Sequence, residues 1–299
     1  MDQSLVVPWF DKEDNRKYAC LMWNITRRCG FGCDYCPFHN DTSPFTSREN
    51  VDRILSWIGT NLPSTKNAPW AQITLFGGEP TLHPEFIYIV RHLSLLGFDQ
   101  IPIYTNFSAP IGLYLDALMS KSIVLILTYH EQHMTAENFI EKLATLIDGT
   151  SSLKYLTEHI RINVMTSDVS YQSVHKAATT MGFFVNITEP HRHGQNHDSH
   201  AHNATTVVDT SGWNKLMKGN KNHFKGWNCL AGRNNIYIEE NGDLFPCQCI
   251  GQAAYLKKPE AQPRITNILH DPNFEWKDLP ATVCPMKACR FELFLTKYK

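Results

Sequence analysis

Cys29-Gly30-Phe31-Gly32-Cys33-Asp34-Tyr35-Cys36 places three thiols within eight residues. Three thiolates at this spacing can wrap one corner of a 4Fe–4S cube and hold three of its irons. No fourth cysteine lies nearby, so the fourth iron stays open to a ligand. Gly30 and Gly32 let the loop turn tightly around a bulky group. A structural zinc site also uses closely spaced cysteines, and His39 is the nearby candidate for its fourth ligand.

Further along, Gly77-Gly78-Glu79-Pro80 follows the apolar run Gln72-Ile73-Thr74-Leu75-Phe76. That run reads as a buried strand ending in a tight glycine turn. Exposed backbone and a fixed carboxylate at a strand's C-terminal end suit a ligand bearing an ammonium group. The CxxxCxxC loop followed by GGEP resembles the radical S-adenosylmethionine (SAM) superfamily. The resemblance implies a 4Fe–4S cluster on Cys29, Cys33 and Cys36, with SAM chelated at the open iron. It also implies reductive cleavage of SAM to a 5′-deoxyadenosyl radical that abstracts a substrate hydrogen atom. By the same resemblance, Glu79 and the Gly77–Gly78 backbone hold the SAM ammonium, and Tyr35 lies against the adenine. Thr105-Asn106 resembles the polar turn near the ribose and the methionine carboxylate. Asn163 and Val164 fall where the family places backbone against adenine and a polar side chain near the ribose. A buried strand with polar ends is the plain alternative for Asn163.

Working outward, strand-like segments at 19–26, 72–76, 101–105, 123–129, 160–165 and 183–188 alternate with helical patterns at 47–61, 84–97, 111–120, 135–148 and 170–181. Six β–α repeats predict an α/β fold, a parallel sheet with helices outside it. The section is shorter than the roughly 250 residues of an eight-stranded barrel. The resemblance implies an open (β/α)6 partial barrel, with the cluster at the C-terminal strand ends. The expected division is a barrel over residues 1–205 and a C-terminal extension over 206–299. Cys20, within the first strand, reads as a small core hydrophobe. Residues 191–202 hold five histidines in twelve positions. Their spacing matches no metal motif, and they read as a solvated loop after the sixth strand.

The last third carries Cys229, Cys247, Cys249, Cys284 and Cys289. Residues 235–246 read as a β-hairpin turning at Asn241-Gly242. The pattern Cys…Gly-x4-Cys resembles the hairpin that opens the SPASM and Twitch extensions of radical SAM enzymes. Five cysteines favour Twitch, the shorter form with one auxiliary cluster. Cys229, Cys247, Cys284 and Cys289 would hold a second 4Fe–4S cluster. A zinc ribbon on the same four thiolates is the rival. Four ligands leave one thiol over, and Cys249 is the expected spare. If the hairpin strand continues, Cys249 stands two residues beyond Cys247 on the same side. An inert buried cysteine, or Cys249 as ligand with Cys247 or Cys289 spare, stays open. A spare thiol could return a hydrogen atom to a substrate radical from the opposite face, which inverts a stereocentre.

Only 28 residues precede Cys29, too few for the leader-peptide-binding domain of many peptide-modifying relatives. A small-molecule substrate is therefore expected. The chain resembles the superfamily's aminoglycoside epimerases, as in conversion of neomycin C to neomycin B. The alternatives are a Twitch dehydrogenase of an amino-cyclitol alcohol, and a metal protein that binds a partner without cleaving SAM. A cationic aminosugar would need carboxylates, for which Glu131, Glu189, Glu239, Glu240 and Asp243 are the candidates by placement. A low-potential donor such as flavodoxin or ferredoxin is the expected partner. Net charge is −1, so no global field draws nucleic acid or anionic membrane. No apolar run reaches transmembrane length and no signal peptide opens the chain. Nine cysteines without an export signal point to a reducing cytoplasm. A monomer is expected.

Overall fold

The computed structural model describes residues 18–36, 38, 41–61, 70–150, 153–165, 171–188, 224–233, 235–258, 261–276, 279, 282–286 and 297–298. Contacts divide the chain into two compact units with interleaved segments. One comprises Met1–Asn24, Thr46–Ile73 and Ala201–Lys299, the other Ile25–Phe45 and Thr74–His200. The expected boundary at 205/206, the histidine-rich stretch 191–202, Glu189, Cys289 and His39 lie outside the described residues.

Alternation of β-branched strands with amphipathic helices builds the second unit. β1 (Tyr18–Thr26) and β2 (Trp70–Gly77) end in it. β3 (Ile101–Thr105), β4 (Ile123–Tyr129), β5 (Ile160–Met165) and β6 (Phe184–Thr188) lie within it and pair in parallel. Helices α2 (Phe86–Leu96), α3 (Ile111–Ala117), α4 (Ala136–Asp148), α5 (Leu153–His159) and α6 (Tyr171–Thr180) connect them. α2 packs on α3, α3 on α4 and α4 on α6. Ile160, Ile162 and Val164 of β5 are fully buried on one sheet face, while Arg161 between them is exposed on the other. Each such aliphatic side chain contributes about 1.5–3 kcal/mol on burial. Helix ends follow local chemistry. The Thr135 hydroxyl accepts from the Asn138 amide at 3.2 Å to start α4, and Gly97 at φ 87° ends α2.

In the other unit, α1 (Arg48–Asn61) starts after Ser47, whose hydroxyl accepts from the Asn50 amide at 3.3 Å. Trp57 Nε1 donates to Phe274 O at 2.7 Å, and the Trp276 amide donates to Asn61 Oδ1, so α1 is tied to the C-terminal segment. β8 (Asn235–Ile238) and β9 (Asp243–Phe245) form the expected hairpin, with Gly242 at φ 81° in its turn. β8 also pairs in parallel with β1, Cys20 opposite Asn235 through Trp23 opposite Ile238. α7 (Gln248–Tyr255) follows β9, and β10 (Thr266–Asn267) flanks it. β7 (Asn228–Cys229) pairs with β11 (Thr282–Val283) and β12 (Lys297–Tyr298) in a separate three-stranded sheet. The large sheet runs β10-β9-β8-β1-β2-β3-β4-β5-β6, parallel from β8 through β1 and from β2 to β6 where the register is defined. Among the described residues, no helix is long and apolar enough to cross a membrane.

Candidate active site

The two motif loops leave adjacent strand ends and are hydrogen-bonded to each other. The Gly78 amide donates to Thr26 O at 2.7 Å and the Glu79 amide to Arg28 O at 2.7 Å. A Cβ on residue 78 would lie 2.2 Å from both Arg27 O and Arg28 O. Only glycine allows this backbone approach. Arg28 closes the cysteine loop on itself. Its Nη2 donates to Thr42 O at 3.0 Å, and its guanidinium sits 4.7 Å over the Phe45 ring.

The Glu79 carboxylate is fully buried and accepts four hydrogen bonds. Oε1 receives the Thr81 amide (3.1 Å), the Thr81 hydroxyl (2.6 Å) and the Thr105 hydroxyl (2.7 Å). Oε2 receives the Asn106 amide at 2.6 Å. Burial pushes its pKa up, and these donors pull it back. Glu79 thus knots the end of β2 to the end of β3. Asn106 then turns its side-chain amide to Cys29 Sγ at 3.6 Å. Thr105 and Asn106 therefore serve Glu79 and Cys29 directly.

Each loop sulfur has a donor. Cys29 Sγ accepts from the Phe31 amide at 3.4 Å, Cys36 from the Phe38 backbone, and Cys33 from the Tyr35 hydroxyl. The Cys36 amide donates to Cys33 O at 3.0 Å, which turns the loop. Burial pushes all three thiols up, Cys33 to about 11, and Cys29 and Cys33 also feel the neighbouring thiols. Nothing stands within 4 Å of where a Gly30 Cβ would be, so space is open there. Among the described residues, no three His, Cys, Asp or Glu side chains converge as a closed metal-ligand set. Three closely spaced thiols, each with an N–H or O–H donor, nevertheless suit the thiolate corner of an iron–sulfur cluster.

Tyr129-His130-Glu131 is expected from the sequence to end the fourth strand on the substrate face, and two contacts made there were not foreseen. His130, just past β4, brings Nδ1 to 2.6 Å from the Tyr35 hydroxyl and 3.7 Å from Cys33 Sγ. Its pKa falls to about 4, through burial first and then His133. Phe31 stacks on His133 at 4.4 Å. Both histidines sit beside Glu131, which drew attention as the acid of that turn. Tyr35 is engaged through its hydroxyl and, at 6.2 Å between centroids, its ring lies parallel to His130. Asn163 Oδ1 accepts from Asn186 Nδ2 at 2.9 Å, and the Val164 side chain is fully buried. For Val164, only the backbone can face a ligand.

The four described C-terminal cysteines lie on or beside two elements, the β7 ribbon and helix α7. Cys229 in β7 lies opposite Thr282, and the Cys284 amide donates to Trp227 O at 2.8 Å. Positions 227 and 229 share a strand face, so Cys229 and Cys284 are diagonal neighbours on one ribbon. Cys247 and Cys249 do not share a continuing strand, which corrects the expectation. β9 ends at Phe245, Cys247 is the N-cap of α7, and Cys249 is its second residue. Both are buried. A further correction concerns the acids. Glu239 is 2% exposed, accepting from Asn24 Nδ2 and the Tyr237 hydroxyl, each at 2.8 Å. Glu240 is also buried, and its carbonyl accepts from the Thr46 hydroxyl at 2.6 Å. Neither presents an open carboxylate to a substrate. Glu131 is half-buried. None of the eight described cysteines is in a disulfide.

The family model described as Radical SAM superfamily matches residues 23–121. A probable GTP 3′,8-cyclase of Methanothermobacter marburgensis is 31% identical over 99 residues, 30% of this chain and 28% of that protein. The GTP 3′,8-cyclase of Actinobacillus pleuropneumoniae serotype 3 is 26% identical over 165 residues, 50% of this chain and 45% of that protein. The chain thus spans less than half the length of these curated relatives. The crystal structure of Streptococcus suis SuiB bound to S-adenosylmethionine shares the fold, with a TM-score of 0.55 at 15% identity over 85% of this chain and 64% of that one. Like that neighbour, the chain has an α/β fold with a mostly parallel, partial-barrel-like sheet. The stretch that matches the radical SAM superfamily model carries both linked motif loops, the cysteine loop and GGEP.

Proposed function

We propose that this chain is a radical SAM epimerase of a cationic aminosugar, of the neomycin C to neomycin B type. The observation that carries the radical SAM part is the junction of the two motif loops through Gly78, Glu79 and Asn106. A 4Fe–4S cluster and SAM bound there would supply a 5′-deoxyadenosyl radical, given one electron from a flavodoxin- or ferredoxin-type donor. Cys29, Cys33 and Cys36 hold the cluster. The Gly77–Gly78 backbone and Glu79 orient the SAM ammonium. Glu79 Oε2 carries one donor against three on Oε1, so Oε2 is the oxygen with capacity left. Asn163 and the Val164 backbone flank the nucleoside, with Tyr35 at the adenine.

Cys249 is the proposed second hydrogen donor. Loss of a hydrogen atom from the sugar carbon leaves a carbon radical, and the Cys249 S–H bond, weaker than a sugar C–H bond, gives its hydrogen to the other face. The thiyl left behind regains one electron and one proton. Cys229, Cys247, Cys284 and Cys289 would hold the auxiliary cluster that relays the electron, and solvent would supply the proton. Placement of Cys247 at the helix cap and Cys249 within the first turn supports different duties for the two. With Glu239 and Glu240 buried, Glu131 and Glu189 are the acids proposed for the substrate ammonium groups. The protein is proposed to act as a cytoplasmic monomer, without nucleic-acid or membrane partners.

A Twitch-type dehydrogenase of an amino-cyclitol alcohol is the second reading, favoured by the burial of Cys249 on α7. Incubation with SAM, reductant, an aminoglycoside panel and GTP in D2O separates these. An epimerised product carries one carbon-bound deuterium, and Cys249→Ala still forms 5′-deoxyadenosine but no inverted sugar. A product two mass units lighter would show the dehydrogenase instead. Inversion at the normal rate by Cys249→Ala would remove Cys249 from the scheme, and turnover of GTP alone would replace the substrate class.

A further inference from the structure

We infer that Tyr35 and His130 form a hydrogen-bond relay onto the sulfur of Cys33, and that this relay sets the reduction potential of the cluster held there. The inference rests on the cluster reading of the loop.

Strand alternation puts His130 in place. Tyr129 faces α4, where its ring meets Phe139 at 5.4 Å, so the next residue turns to the opposite side. The amides of His133 and Met134 both donate to His130 O, at 3.0 and 3.1 Å, which fixes the backbone of the turn. The His130 ring lies parallel to Tyr35, while the Phe31 ring meets it edge-on at 5.9 Å. Phe31 in turn stacks on His133. Aromatic packing from both sides of the cysteine loop therefore holds the imidazole where it stands.

Atom chemistry then orders the protons. An iron-bound thiolate sulfur only accepts. Tyr35 hydrogen-bonds Cys33, so its single hydroxyl proton points to the sulfur. The Tyr35 oxygen is then an acceptor, and its 2.6 Å contact to His130 Nδ1 requires the proton on Nδ1; Cys33 Sγ lies farther from the same nitrogen, at 3.7 Å, so the phenol is its nearer partner. The histidine polarises the phenol, and the phenol polarises the sulfur, as chained hydrogen bonds do. Cys29 and Cys36 take amide donors instead. Donors to cluster sulfurs favour the reduced, more negative state and raise the potential.

The test uses the full chain reconstituted with iron and sulfide, and reads the midpoint potential of the EPR signal that changes when SAM is added. Tyr35→Phe keeps the ring and removes the donor, and is expected to lower the potential. His130→Phe should lower it by less, His130→Gln, which keeps an N–H, should restore most of the loss, and the double Phe variant should match Tyr35→Phe alone. An unchanged potential in Tyr35→Phe overturns the relay, as does a His130→Phe effect that persists undiminished without the phenol. If Tyr35→Phe fails to take up iron, an unchanged potential in His130→Phe overturns it equally. A wild-type protein with no SAM-sensitive EPR signal would instead overturn the cluster reading itself.

Discussion

Gly78→Ala is expected to cost about 1–3 kcal/mol of stability, because the added methyl meets two carbonyl oxygens that cannot move without opening the end of β1. Denaturant unfolding measures this, and SAM binding should fall with it. A variant of normal stability would mean that the strand ends are not locked together here. Cys20 makes a second residue-scale case. Burial pushes its thiol from 9.0 up to about 12. A raised folded-state value means that the buried thiol's stabilising contribution is complete below pH 9 and is lost as pH rises towards 12. The limiting slope is about 1.4 kcal/mol per pH unit. Cys20→Val should flatten that part of the alkaline decline, and an identical decline in both proteins would contradict the assignment. The core role of Cys20 was legible from its place in an apolar strand. The donors to the loop sulfurs were not, since nothing in the spacing of Phe31, Tyr35, Phe38 and Asn106 announces that they meet those sulfurs.

At the scale of elements, β8 alongside β1 is the arrangement that periodicity could not foretell. Alternation identifies the hairpin and its Asn241-Gly242 turn, but not the strand that will pair with its outer edge. That pairing buries Asn24, Tyr237 and Glu239 together. Asn24→Ala should lower stability by about 1–3 kcal/mol, because it leaves a buried carboxylate oxygen without its amide donor. Equal unfolding of variant and wild type would show that the carboxylate is not held this way. The same packing explains why strand alternation failed beyond Phe245. Helix α7 lies against Tyr237 through Gly251, where a Cβ would come within 2.3 Å of the ring. A close helix crossing of this kind depends on what lies beneath it. The six strands and five of their helices were legible because each carries its own period, and α1 and α4 their own N-caps as well. Short α5 shows too little period to be read.

For the whole molecule, the order of motifs along the chain was the readable part. The cluster loop follows β1 and GGEP follows β2, so the topology brings the two loops to neighbouring strand ends. The acids expected at the substrate were the unreadable part, because a surface carboxylate and one buried under a tyrosine and an asparagine look alike in a sequence. The most direct measurement of the central claim is anaerobic SAM cleavage by protein reconstituted with iron and sulfide. Wild type should release 5′-deoxyadenosine and methionine under low-potential reductant. The variant with Cys29, Cys33 and Cys36 all changed to Ala should release none and bind about four fewer irons. Stoichiometric zinc in the anaerobically purified protein, with no 5′-deoxyadenosine formed after reconstitution, would contradict the account.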